Sequence, residues 1–319
     1  MLDQTTNHCR QVAIAATAAA LIAMLVLPYL VGFSVDIASF KPIFLFSAAL
    51  MLFVPYAAWR NLQRLRFGME ASALGLMMTL PVLVFSYSAM RVAMPLADQT
   101  LIAIDRSLGF NWLWYVSVID ASPLLAKTLA YAYSSFALQL LLMPIALSLL
   151  SFEKRAFQMV LAYLVLCTLS IAISTFFPAV GAYKAFGVAA TDLENINAHF
   201  GYFFLKSFYA VRGSEVFILD IKNASGIVTF PSIHVGVSVL CGWASWQSVW
   251  LRIPMLILNI LMAISAVTHG SHYLFDVLGG VMVAIFTIRL VLQLSDFSRL
   301  PSSSTHDRPV IAASIANKI

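Results

Sequence analysis

The chain has 319 residues, 61% apolar and 10% charged, with mean hydropathy +0.89 and net charge +5. A soluble domain carries about a quarter charged residues, so this composition excludes an ordinary soluble enzyme and points to a polytopic membrane protein. The positive charge calls for no nucleic acid, because excess Lys and Arg of membrane proteins gather in cytoplasmic loops.

A helix crossing bilayer hydrocarbon needs about 20 apolar residues. Runs of this kind lie at 11–33, 42–59, 71–94, 124–150, 156–178, 232–250, 253–270 and 273–294. The expected fold is therefore all-α, a polytopic bundle of about eight transmembrane helices with added interfacial helices. It forms one membrane domain over 1–300, followed by a polar tail over 301–319 containing "SSST". The first run is longer than the ~7–15-residue apolar core of a signal peptide and reads as a transmembrane helix. Segment 97–119 carries Asp98, Asp105 and Arg106, and its Trp112, Trp114 and Tyr115 suit the membrane interface, so it reads as interfacial or re-entrant. Cys9, Cys167 and Cys241 have no metal-type spacing and read as packing residues.

Eight spans put Arg10, Arg60, Arg64, Arg66, Lys154, Arg155, Arg252, Arg299, Arg308 and Lys318 on one side, which the Lys/Arg bias makes cytoplasmic. The opposite side holds only Lys41, Arg91, Arg106 and Lys127 near its short connections, together with loop 179–231. That loop is too long to lack structure. "TDLE" at 191–194 fits a capping box with Thr191 as N-cap, and Leu193, Ile196, Phe200, Phe203, Phe204, Phe208 and Val211 recur at helical spacing up to Gly213. The pattern predicts an amphipathic helix on the membrane surface.

Two polar clusters stand at the starts of late spans. In "THGSHYLFDVLGG", 268–280, His272 and Asp276 share one helix face, so the carboxylate can fix the imidazole tautomer and leave the other nitrogen free as nucleophile or base. By itself such a pair serves equally to staple two helices. In "TFPSIHVG", 229–236, Pro231 suits a first helical turn, Ser232 can cap the helix or bind an anion, and His234 follows in that turn. A capped helix with an interfacial histidine is the plainer reading of this segment alone. Two helix N-termini on one membrane face, each with a histidine and small polar groups, suit an anion such as phosphate.

Pro-Ser-x-His followed by His-x-x-x-Asp resembles the type 2 phosphatidic acid phosphatase superfamily, with motif support over roughly 175–290. Ser265 is in register with the Ser-Arg of that superfamily's third motif, but Ala266 stands where the arginine belongs. "FPSIH" with "GSHYLFDVLGG" is more similar to the branch of inositol phosphorylceramide synthases and bacterial relatives. The resemblance implies a two-step phosphoryl transfer, with His272 as nucleophile, Asp276 orienting it and His234 as acid and then base. It needs no cofactor and no metal, provided cationic groups hold the phosphate oxygens. The first motif, Lys, then six residues, then Arg-Pro, is not cleanly present, since Lys206 and Arg212 have five residues between them and Gly213 follows. Arg212 is the favoured phosphate-binding cation, with Lys206 and Lys184 as further candidates, and Ser232 and His269 beside them. Lys206 and Arg212 otherwise meet lipid headgroups. Asp105 reads as a solvated interfacial aspartate, with a place in the site as the alternative, and Gly279 and Gly280 allow close helix packing.

The expected activity is that of a membrane phosphotransferase or phosphatase acting on a lipid phosphate or phospholipid donor. The acceptor is water or the hydroxyl of inositol, a sugar or a lipid alcohol. The site faces the periplasm of a bacterial inner membrane. A zinc site of His234, His269, His272 and Asp276 would mean metal-dependent hydrolysis, and a proton relay of the same groups would mean transport.

Overall fold

The computed structural model describes residues 3–296, and the tail expected over 301–319 lies outside the described residues. Helix α1 spans Gln4–Val31, α2 Lys41–Trp59 and α3 Gln63–Arg91. Two of these begin earlier than hydropathy suggests, and polar residues near their starts find partners. The Asp3 side chain caps α1 by accepting from the Thr6 amide at 2.8 Å, and Glu70 in α3 pairs with Arg10 at 2.6 Å.

Segment 97–119 forms two short helices, α4 (Asp98–Ser107) and α5 (Trp112–Asp120). Each is about 15 Å long or less at 1.5 Å per residue, too short to cross a bilayer. The span expected at 124–150 is broken. Helix α6 (Pro123–Ser134) and α7 (Phe136–Leu149) meet at Ser135 with a bend of 54°. The Ser134–Ser135 pair stands at this bend, and the Ser135 hydroxyl donates to the Ala132 carbonyl at 2.6 Å.

After α8 (Glu153–Phe176), the long loop holds three short helices, α9 (Ala182–Phe186), α10 (His199–Tyr202) and α11 (Leu205–Gly213). The single surface helix expected from Thr191 does not form. Leu193 is extended, and the Asp120 carboxylate captures the amides of Glu194, Asn195 and Ile196 at 2.7–2.8 Å. Asp192 spends its carboxylate on the Ala189 amide.

Helices α12 (Ile233–Ser245), α13 (Arg252–His269) and α14 (Leu274–Asp296) complete the described chain. Among the described residues, six helices, α1, α2 with the turn before it, α3, α8, α13 and α14, are long and apolar enough to span a membrane, and the bent α6–α7 pair would make a seventh. The expected span at 232–250 shrinks to the 13-residue α12, about 20 Å long.

Helices α3 and α8 form the centre of the bundle, with 61% of their apolar windows buried, against 17% for α1 and α2 at the periphery. One core joins α1, α3, α8, α12 and α14, and a second lies among α4, α5, α6 and loop residues such as Tyr183 and Ile196. The loop is stitched to the bundle beyond α11. Ser34–Val35 (β1) pairs in parallel with Ile218–Leu219 (β2). The Arg91 guanidinium donates to the carbonyls of Gly32, Val211, Ser214 and Glu215 at 2.6–3.3 Å. The Tyr87 hydroxyl donates to the Asn223 carbonyl and accepts from the Ser225 amide.

Candidate active site

His272 lies in the four-residue connection between α13 and α14, and Asp276 in the first turn of α14. The Asp276 carboxylate reaches back along the helix start. Its Oδ2 accepts from the Tyr273 amide and from His272 Nδ1, both at 3.0 Å. On the other side of the ring, His272 Nε2 is 3.1 Å from Ser232 Oγ. The hydrogen-bond pattern thus sets a proton on Nδ1 toward the carboxylate and a lone pair on Nε2 toward the serine hydroxyl. Ser232 is the N-cap of α12, and Oγ also accepts from the Val235 amide at 3.4 Å. Pro231 consequently precedes the cap instead of occupying the first helical turn.

Close helix approach makes this junction possible. A Cβ on Gly280 would stand 2.4 Å from the Ser232 carbonyl oxygen, so only glycine lets α14 meet the start of α12 here. Gly270 is equally confined: a Cβ would stand 2.7 Å from His272 Cδ2 and from the Ala266 carbonyl. Trp112 of α5 donates its indole N–H to the His272 carbonyl at 3.2 Å. His272 is 3% exposed and Asp276 is fully buried. Burial holds the His272 imidazole down to about 4, against the opposing effect of a hydrogen bond at the Thr229 backbone.

His272, Gly270 and Thr229 line a cavity of about 490 Å³, and His234 faces the same space. The α6–α7 bend holds His234 by its ring faces. Tyr133 stacks on it at 4.2 Å with planes 11° apart, and Phe136 lies at 4.4 Å. The rest of the wall is mostly apolar, from α3, α7, α8 and the stretch Ser225–Thr229, and the buried Ser225 hydroxyl has no partner among the described residues. Among the described residues, no Lys or Arg lines this cavity.

Four of the residues picked out by sequence, Ser232, His234, His272 and Asp276, are thus brought to one place. The other four are not. Lys184 and Lys206 are exposed side chains off the cavity wall. Arg212 donates to the Met94 carbonyl at 2.7 Å and lies over the Phe208 ring, and burial lowers its pKa. His269 is 2% exposed, shares a hydrogen bond with Thr268 at 2.9 Å and also lies off the wall. Among the described residues, no three of His, Cys, Asp and Glu are gathered as a metal-holding set.

Asp105 is not solvated. It is 3% exposed, and its carboxylate accepts from the amides of Leu274 and Phe275. Tyr133, Phe136 and Trp112 also belong to the site's frame and carry no motif. The only sequence signal for them is an aromatic residue beside a serine pair or an interfacial segment.

Long apolar helices around a cavity lined by His234 and His272, the latter held by Ser232 and Asp276, suit an integral membrane enzyme of phosphate chemistry. A family model described as the PAP2 superfamily matches residues 99–290, from α4 into α14, and the chain belongs to that superfamily. No curated protein and no solved structure matches it. Membership supports a phosphatase-type enzyme acting on phosphate esters, and the six long apolar helices fit an integral membrane protein.

Proposed function

We propose that the protein is a metal-independent phosphotransferase acting on lipid phosphates through a phosphohistidine. The observation that carries this reading is His272 held between Asp276 and Ser232 at the wall of an apolar cavity that His234 also faces. In the first step, His272 Nε2 forms a bond to phosphorus as the bond to the leaving oxygen breaks. His234 gives that oxygen its proton. In the second step, His234 takes the proton of the acceptor hydroxyl, whose oxygen bonds to phosphorus as the Nε2–P bond breaks. Asp276 holds Nδ1–H throughout and offsets the positive charge on the ring. Ser232, freed from Nε2 by the incoming phosphorus, donates to a phosphate oxygen beside the amides of the α12 N-terminus.

The substrate enters from the membrane, and its apolar part fills the wall formed by α3, α7 and α8. The absence of Lys and Arg from that wall, among the described residues, favours a phosphodiester with one negative charge over a doubly charged monoester. This supports transfer of a phospho-headgroup to an inositol, sugar or lipid hydroxyl, as in the branch similar to inositol phosphorylceramide synthases. Simple hydrolysis of a lipid phosphate is the second reading, resting on membership of the superfamily alone. The cavity end faces the periplasm of a bacterial inner membrane, residues 1–300 form one membrane domain, and 301–319 are a cytoplasmic tail.

Purified protein in detergent with EDTA tests the proposal, using a lipid phosphate in one assay and a phospholipid donor with inositol or a lipid alcohol in another. Turnover by wild type and its loss by at least about a thousandfold in His272→Ala is the expected result. Equal turnover by both proteins would remove His272 from the mechanism.

A further inference from the structure

The nucleophile's loop is held from outside by a helix that the catalytic motifs do not include. Asp98 and Asp105 stand seven residues apart on α4, two turns along one face, and are 6% and 3% exposed. Asp105 Oδ2 accepts from the Leu274 amide at 2.8 Å and Oδ1 from the Phe275 amide at 2.9 Å. These are first-turn amides of α14, which have no partner within their own helix, so α4 supplies the cap in trans. Asp98 Oδ1 accepts from the Tyr273 hydroxyl at 2.8 Å, and its carboxylate also accepts from the amides of Val180 and Gly181 at 3.1 Å. Residues 273, 274 and 275 are therefore gripped one after another, between His272 on one side and Asp276 on the other.

A burial this deep costs a carboxylate several kcal/mol unless hydrogen bonds compensate it, as they do here. Capping alone does not require it, because an Asp or Ser just before the helix would serve, and Tyr273 occupies that place instead. Neither aspartate lines the cavity. We propose that Asp98 and Asp105 are positioning residues, which hold His272 and Asp276 in register with Ser232 and so set the rate of phosphoryl transfer without touching substrate. The inference rests on the phosphotransferase reading above.

The test uses the full chain in detergent and compares Asp105→Asn, Tyr273→Phe and Asp120→Asn with wild type. An asparagine at 105 has one acceptor oxygen for two amides, and phenylalanine at 273 removes only the hydroxyl held by Asp98. Asp120 is the control, because its carboxylate also grips successive amides, at 194–196, in a segment away from the cavity. Misplacing a reacting group by about 1 Å costs up to about a hundredfold. Asp105→Asn should lower kcat by roughly tenfold to a hundredfold with KM within about twofold. Tyr273→Phe should lower it by roughly threefold to tenfold. Asp120→Asn should lower the melting temperature and leave kcat within about twofold.

If Asp105→Asn behaves as Asp120→Asn does, losing thermal stability but keeping kcat, the proposal is overturned. Amide hydrogen exchange over 271–276, measured on the same proteins, separates the two readings. Faster exchange at 274 and 275 in Asp105→Asn, with a wild type that turns over no donor, overturns the phosphotransferase reading and keeps the clamp. Unchanged exchange there overturns the clamp.

Discussion

At the scale of single residues, the proposed chemistry depends on one imidazole kept neutral. His272 has both nitrogens engaged and is held down to about 4 by burial, from an ordinary value of 6.5. A lowered histidine pKa keeps Nε2 unprotonated across the neutral range and into mild acid. Its contribution to stability has the same sign: present above about pH 6.5, and lost as pH falls toward 4. The acid limb of kcat/KM that belongs to His272 should therefore lie near pH 4. A rate profile taken from about pH 3.5 to about pH 8 checks this. A limb centred near 6.5 and absent from the rest of the profile would mean a solvated imidazole. The meeting of His272, Asp276, Ser232 and His234 was legible in the sequence because their spacing places polar, titratable groups at helix starts. Asp105 was not, because its partners are backbone amides 169 and 170 residues away, and no side-chain pattern records them.

At the scale of elements, the bend between α6 and α7 sets the ring of His234. One straight span over 124–150 was the natural reading of an unbroken apolar run. A serine pair has too little polarity to interrupt a hydropathy window, yet it marks a 54° change of direction. Tyr133 and Phe136 fall on either side of that bend and meet one imidazole. Such ring pairs are worth about 0.5–1.5 kcal/mol beyond their buried area, enough to favour one orientation of the side chain. Phe136→Leu keeps the apolar bulk and loses the ring face. It should lower kcat by roughly tenfold with a substrate whose leaving group needs a proton, and far less with a nitrophenyl ester. Equal losses with both leaving groups would assign Phe136 to packing alone. The broken surface helix at 191–213 was hidden for a similar reason: "TDLE" is a sound local start signal, but Asp120 outcompetes it for the amides it would have used.

At the scale of the whole molecule, the two ends of the bundle differ in charge and in content. One end gathers α4, α5, the long loop and the cavity. The other carries Arg10, Arg64, Arg66, Lys154 and Arg155, where Arg10 meets Glu70 and Arg64 donates to the Leu149 carbonyl. The positive-inside rule supports the proposed orientation, with the cavity end outside the cytoplasm. All three cysteines are buried, so a single engineered cysteine reports side with little background. In intact cells a membrane-impermeant maleimide should label Lys206→Cys, and should label Arg64→Cys only after permeabilisation. The reverse pattern would invert the orientation. The family match begins at residue 99 and leaves out α1, α2 and α3.

Those first helices are nevertheless not an appendage. Arg91 at the end of α3, β1 after α1 and Tyr87 hold the return of the loop from Gly213 to Ser225, and Ser225–Thr229 is a wall of the cavity. An enzyme trimmed to the matched region would keep every motif residue and lose the anchor of its own roof. The smallest unit that keeps this cavity walled is therefore larger than the stretch that carries the family's sequence signature.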